Sequence, residues 1–165
     1  DDTKLHQLAL NSGYVEKALR YLHALQLMVL IIRPAALAAA ARFTREELDE
    51  LTDRFTSPGS VYLADIQEAV LKHTTLEPLY VILSETNHLL EWGHHFAYYP
   101  SKRHTLSHLN KKAITALRQL YEGNASSFAD GMADCYRYIL ICMKKNMVEK
   151  YKFHNVANIR VPEKY

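Results

Sequence analysis

The stretch that decides the fold runs from Leu25 to Phe43 and reads LQLMVLIIRPAALAAAARF. Its apolar part ends at Ala41 and is about 17 residues long, shorter than the roughly 20 residues that a membrane-spanning helix needs. Gln26, Arg33 and Pro34 interrupt it, and alanine drives membrane insertion only weakly. We therefore expect this stretch to fill the core of a globular domain, and we expect no membrane span.

The residues before Pro34 have the spacing of a helix. Apolar side chains recur there at steps of three and four residues, at Val15, Ala18, Leu22, Leu25, Val29 and Ile32. Proline disfavours the α conformation in the residue before it and suits the first turn of a new helix. The pattern predicts that one helix ends at Arg33 and that a second, alanine-rich helix leaves at an angle.

The rest of the chain repeats the 3.6-residue period. Thr44 and Glu47 have the spacing of a capping box, Gly123 is expected to end a helix, and later helices are expected to begin at Thr105 and near Ser126 and Ser127. The next helix begins near Glu77, is expected to end at Gly93 and carries these residues: Leu79, Ile82, Leu83, Thr86, Leu89 and Leu90. With only 5 Gly and 5 Pro, the chain has little material for the turns of a β-sandwich.

The sequence thus predicts an all-α fold, a helical bundle of about six helices. A chain of 165 residues fits a single domain, 1–165. Its C-terminal tail, 152–165, has no clear period and is expected to be partly irregular while packing on the bundle through Val156, Ile159 and Val161.

Charge and cysteine content limit the environment and the partners. Twenty basic and 18 acidic residues give a net charge of +2, too small for a nucleic-acid-binding surface, so we expect no nucleic-acid partner. Cys135 and Cys142 would lie about 10 Å apart along one helix and cannot pair there. Unpaired cysteines and the absence of a signal-peptide pattern in the first residues, DDTKLHQL, predict a cytoplasmic or nuclear protein.

Histidines raise the alternative of a metal site. His88, Glu91 and His95 have i, i+3, i+7 spacing, and His104 precedes His108 by four residues, both suitable for zinc. Gly93 is expected to end the helix before His95, however, and neither HExxH nor C-x-x-C occurs in the sequence. We expect no catalytic residues, no metal and no cofactor, and a small helical enzyme with a histidine/carboxylate metal site is the alternative.

The most site-like stretch is 93–103, GHHFAYYPSKR, which reads as irregular. Aromatic and arginine side chains are enriched at the centres of protein interfaces, and loops often carry binding residues. The candidate partner-binding residues are Phe96, Tyr98, Tyr99, Lys102 and Arg103. Trp92 is expected to be structural, and the other reading of the rings is that they cover an open end of the bundle.

Two segments also carry a family resemblance. Gly13–Leu27, GYVEKALRYLHALQL, resembles the first helices of microtubule-interacting and trafficking (MIT) domains, as in the C-terminal tandem of the autophagy-initiating protein kinases. Ala113–Met132, AITALRQLYEGNASSFADGM, is similar to their later helices. The resemblance implies a helical adaptor that holds amphipathic segments of partners in grooves, and it assigns no individual residue. We therefore expect a non-catalytic interaction or scaffolding domain whose partner is an amphipathic helical segment of another protein, with homo-oligomerisation left open.

Overall fold

The computed structural model describes residues 12–54, 62–90 and 102–163. These contain six α-helices and a final 3₁₀ helix: α1 Ser12–Ala40, α2 Arg45–Arg54, α3 Tyr62–Lys72, α4 Glu77–Leu90, α5 Lys102–Tyr121, α6 Ala125–Glu149 and 3₁₀ His154–Asn158. No strand occurs in the described ranges. The predicted all-α bundle of about six helices is confirmed.

The two longest helices, α1 and α6, form the centre of the bundle. α1 packs most extensively on α6 and also on α4, while α5 covers another side of α6. Fully buried side chains of this core include Ile32 and Ala36 on α1 and Phe128, Met132 and Leu140 on α6. The alanines after Pro34 let α1 approach its neighbours closely because they add little volume between the two backbones. The opening stretch therefore contributes to the core, as predicted.

The predicted helix break at Arg33 is wrong, because α1 continues through Pro34 to Ala40. Proline lacks the N–H that would bond the carbonyl of Leu30, but Pro34 and Leu30 both face solvent, where water can satisfy that carbonyl. Ala35, directly after the proline, is fully buried, and Arg33 is tied to Asp130 of α6 at 2.7 Å. Packing on both sides of the proline thus holds a single helix.

Local sequence signals set most helix ends. The capping box is confirmed: Thr44 Oγ1 accepts from the Glu47 N–H at 3.2 Å, and the Thr44 N–H donates to Glu47 Oε1 at 3.3 Å. The predicted serine caps of α6 are wrong, because that helix begins at Ala125 with Asn124 as its N-cap. The Asn124 side chain instead donates to Gln119 Oε1 at 3.0 Å.

The turn between α5 and α6 is tight. Gly123 has a φ of +86°, a left-handed conformation that glycine adopts without steric cost. The Gly123 N–H donates to the Leu120 carbonyl at 3.0 Å and the Asn124 N–H to the Gln119 carbonyl at 2.8 Å, which is the Schellman pattern of a helix end. Gly123 therefore ends α5 as predicted and returns the chain so that α6 packs against α5.

Gly131 allows α5 and α6 to approach closely. A Cβ atom at this position would lie 2.8 Å from the Cβ of Ala116 and 3.3 Å from its Cα. Such distances are shorter than the roughly 3.5–4.0 Å of a favourable carbon–carbon contact. The glycine that weakens α6 as an isolated helix is therefore required by the packing of the helix pair.

The C-terminal tail packs on the bundle, as predicted, through more residues than the sequence indicated. Val156 and Ile159 are buried, and so are Tyr151 and Phe153, directly after α6. Side chains from two helices also donate to tail carbonyls: Gln26 Nε2 to Arg160 O at 2.6 Å and Arg137 Nε to Pro162 O at 3.0 Å. The tail thereby connects α1 with α6.

Candidate functional site

The predicted partner-binding residues lie largely outside the described residues. Phe96, Tyr98 and Tyr99 fall in the range 91–101, as does Trp92. The backbone of Lys102 and Arg103 forms the first turn of α5, three residues earlier than the predicted start at Thr105, and their side chains are not described. The proposed role of all five residues stays a prediction.

The outer face of α4 exposes a group of apolar side chains. α4 packs one side against α1 and touches α3, and its buried residues Leu83, Thr86 and Leu90 mark that side. Tyr80, Val81, Ile82 and Leu89 remain 43%, 50%, 45% and 44% exposed. Ile82 and Leu89 stay outside the core because their positions on the helix lie about 100° or more from that of the buried Leu83.

The spacing of these residues makes the outer face continuous. Pro78, Ile82 and Leu89 follow one another at i, i+4 and i+11, so that they lie along one stripe of α4. Val81 lies beside this stripe, and Glu85 is the acidic residue within it. We refer to Pro78, Val81, Ile82 and Leu89 as the α4 surface.

A second set of exposed apolar residues lies on α1. Leu27 and Leu30 are exposed, and Pro34 and Ala38 continue the same side of the helix. The segment Glu16–Ala40 is also the one described helix whose length and composition suffice to cross a membrane, and half of that segment is buried within the domain. Burial on this scale is usual for a core helix of a bundle, and the expectation of no membrane span stays a prediction.

A groove of about 540 Å³ lies between α2 and α5. Its apolar residues come from α5, namely Ile114, Leu117 and Tyr121. Its charged residues are Asp49 and Asp53 from α2, and Arg118 and Glu122 from the end of α5. We call this feature the α2–α5 groove.

Tyr121 is the fixed element of the α2–α5 groove. Its hydroxyl donates to Asp49 Oδ1 at 2.9 Å, and the guanidinium of Arg45 lies 3.9 Å from the centre of its ring. Arg45 also donates to the Tyr121 carbonyl at 3.2 Å. The hydrogen bond to Asp49 raises the pKa of Tyr121 above its ordinary value.

Two further crevices are also lined by charged residues. One, of about 370 Å³ between α2 and α3, is bordered by Glu47, Glu50, Asp65 and Glu68 as well as Arg54 and Lys72. Next to it, His73 Nε2 lies 2.6 Å from Glu47 Oε2, and this hydrogen bond holds the pKa of Glu47 below its ordinary value. The other, of about 290 Å³ between α5 and α6, carries His108, Lys111 and Lys112.

The structure describes only part of the histidine set that raised the alternative of a metal site. His104 and His108 stack with ring centres 6.3 Å apart, while Glu91 and His95 lie outside the described residues. Within residues 12–54, 62–90 and 102–163, no three histidine, cysteine or acidic side chains form a group that could hold a metal ion. Both cysteines are free, as predicted, and burial raises the pKa of Cys135 to about 12, so its thiol stays protonated.

Sequence reasoning missed both the α4 surface and the α2–α5 groove. The signal for the first was present: Ile82 with Leu89 and Leu83 with Leu90 are two apolar pairs with the same spacing, and a helix at the edge of a bundle can bury only one of them. The groove had no comparable signal, because it brings together residues 49–53 and 114–122, which are distant in the sequence.

Comparison with known proteins does not identify either surface: no family model, curated protein or solved structure matches this chain.

Proposed function

We propose that this chain is a helical protein–protein interaction domain that binds an amphipathic helical segment of a partner protein on its α4 surface. The observation that carries the proposal is the exposure of Val81, Ile82 and Leu89 on a helix whose other side is packed on α1. Contiguous exposed apolar side chains of this kind mark interaction sites. A partner helix on α4 extends the same helix-on-helix packing that builds the bundle.

Burial of these side chains under a partner favours binding. Each of these apolar side chains is about half exposed, so its burial under a partner contributes roughly 1 kcal/mol. A helical partner reaches along the stripe with apolar side chains at i, i+3, i+4 and i+7. Glu85, within the stripe, favours a partner with a basic residue at the corresponding position.

The predicted anchors extend this surface in the sequence. Phe96 follows Leu89 by seven residues, and Tyr98 and Tyr99 follow Phe96 after Ala97. Aromatic side chains give large contact areas at low cost in side-chain entropy. In this proposal the partner segment contacts both the α4 surface and these rings, and Lys102 and Arg103 pair with its acidic residues. The MIT resemblance supports the same class of partner.

The test begins with a photoreactive amino acid at position 81 that covalently captures the contacted segment from cell extract. Mass spectrometry then identifies that segment, which we expect to have the apolar spacing of an amphipathic helix. A synthetic peptide of this sequence should bind the purified domain, and the double variant Ile82→Asp/Leu89→Asp should weaken its binding by at least about 1 kcal/mol. Single alanine replacements of Phe96, Tyr98 and Tyr99 should do the same without changing the melting temperature.

The matched control is Leu27→Asp/Leu30→Asp, which changes two exposed apolar side chains on α1. This variant should retain peptide binding, and both double variants should keep the helical circular-dichroism spectrum of the parent. The proposal is wrong if the two double variants weaken binding equally. It is also wrong if position 81 captures lipid or a second copy of this chain.

A further inference from the structure

The α2–α5 groove combines an apolar floor with an acidic rim. Ile114, Leu117 and Tyr121 form the apolar part, and Asp49, Asp53 and Glu122 contribute three carboxylates, against the guanidinium of Arg118 in the lining and that of Arg45 over the Tyr121 ring. The acidic excess continues along α2, which has five acidic and two basic residues. A volume of about 540 Å³ lies within the usual range of binding pockets, roughly 300–1,000 Å³.

The groove has this shape before any partner binds. Tyr121 is about 40% exposed, yet its ring lies under Arg45 and its hydroxyl is bonded to Asp49. These contacts fix the side chain at both ends. A side chain that is already ordered loses little entropy on binding, so Tyr121 offers a rigid apolar wall to a ligand.

The charges select among ligands. Nucleic acids and anionic lipid surfaces both present phosphates, which the carboxylates of the rim repel. A cationic ligand is attracted, and the apolar floor between the two helices requires that it also carry apolar side chains. An amphipathic helix with leucine-like residues on one side and lysine or arginine along their edges satisfies both conditions.

We infer that the α2–α5 groove binds a basic amphipathic segment of a partner protein, with apolar side chains on Ile114, Leu117 and Tyr121 and basic side chains paired with Asp53 and Glu122. The inference rests on the proposed role as a binding domain. It concerns a different surface from the α4 surface, because α2 and α5 form the groove and α4 packs on α1 and α3. The domain then holds two partner segments, or two parts of one partner, on two separate surfaces.

The test uses a pair of designed peptides of about 16 residues, roughly 24 Å long when helical. Both carry leucine at i, i+3, i+4 and i+7; one has lysine and the other glutamate at the flanking positions. Fluorescence anisotropy measures affinity, and amide chemical shifts locate the bound peptide. We expect the lysine peptide to bind at least about tenfold more tightly than the glutamate peptide, to perturb α2 and the second half of α5, and to weaken as salt rises.

Two double variants with the same change in charge separate a specific site from general attraction. Asp53→Asn/Glu122→Gln should weaken the lysine peptide by about fivefold, as expected for two charges at the rim of an interface. Glu68→Gln/Glu149→Gln, on α3 and α6 and outside both proposed surfaces, should change its affinity by less than about twofold. Equal weakening by both pairs, or shifts spread over all acidic surfaces, would overturn the inference.

Further outcomes keep the two proposals distinguishable. Ile82→Asp/Leu89→Asp should bind the lysine peptide like the parent, because it changes only the α4 surface. Both proposals stand if this variant binds the lysine peptide normally and fails to bind the partner that was captured at position 81. If the lysine peptide does not bind the parent domain, the groove inference alone fails. A concentration-dependent dimer that Asp53→Asn/Glu122→Gln dissociates would show that a second copy of this chain occupies the groove, and would also overturn the inference.

Discussion

Replacing Gly131 by alanine should destabilise the domain, although alanine is the better helix former. The new Cβ atom would lie 2.8 Å from the Cβ of Ala116 and 3.3 Å from its Cα. Both are rigidly attached to the backbone of α5, so no side-chain rotation can relieve the overlap. The two helices have to separate by up to about 1 Å to restore an ordinary contact of roughly 3.5–4.0 Å.

The magnitude follows from two opposing effects. Replacing glycine by alanine inside a helix stabilises it by about 1 kcal/mol, whereas overpacking in a well-packed interface costs roughly 1–3 kcal/mol. Because backbone as well as side-chain atoms of Ala116 are contacted, we expect a cost near the top of that range. The net loss is then about 1–2 kcal/mol in the free energy of unfolding, or a fall of roughly 2–8 °C in the melting temperature for a domain of this size.

A double-mutant cycle tests this reasoning by urea and thermal unfolding. Ala116→Gly removes the closer of the two overlapping atoms, so Gly131→Ala combined with Ala116→Gly should be more stable than the sum of the single changes by at least about 1 kcal/mol. Ala116→Gly alone should lose about 1 kcal/mol of helix propensity. If Gly131→Ala raises stability by that amount and the two changes are additive, α5 and α6 are not in the close contact described.

Two other predictions concern polar groups. The pKa of Glu47 is lowered from 4.5 by the hydrogen bond to His73, so ionised Glu47 stabilises the fold above about pH 4.5 and the contribution is lost as the pH falls through the lower folded-state value. Urea unfolding of Glu47→Gln should therefore show a deficit of up to about 1 kcal/mol near pH 6 that shrinks as the pH is lowered below 4.5, and a deficit that does not change with pH would contradict this explanation. Gln67 is only 2% exposed, and its buried Nε2 has no hydrogen-bond partner among the described residues. Gln67→Met should therefore raise the free energy of unfolding by about 1 kcal/mol in the same assay. A loss of stability would mean that the amide is hydrogen-bonded.

The sequence predicted the class of fold because a 3.6-residue period is a local property. The capping box at Thr44 and the helix end at Gly123 were also predictable, since each depends on residues within one turn. The continuation of α1 through Pro34 was not. It depends on the burial of the alanines after Pro34 and on the pairing of Arg33 with Asp130, which no local pattern records.

The candidate sites were less accessible to sequence reasoning for a related reason. An apolar residue on a helix can be buried or left at the surface, and only the arrangement of neighbouring helices decides between the two. Ile82 and Leu83 illustrate this: they are adjacent and similarly apolar, yet Ile82 is 45% exposed and Leu83 is fully buried. The predicted anchors in 91–101 were inferred from composition, which indicates a binding role and fixes no position in space.

The pairing of α1 with α6 has a consequence for biosynthesis. Arg33 and Asp130, which join the two helices, are 97 residues apart in the chain, and at roughly 5–20 residues per second a ribosome needs about 5–20 s to pass from one to the other. Of the helices that α1 packs against in the described ranges, α3 and α4 are synthesised before α6. Nascent chains that stop before α6 should therefore present the unpaired side of α1 to chaperones, and native structure should form only after residues near 149 have left the ribosomal tunnel.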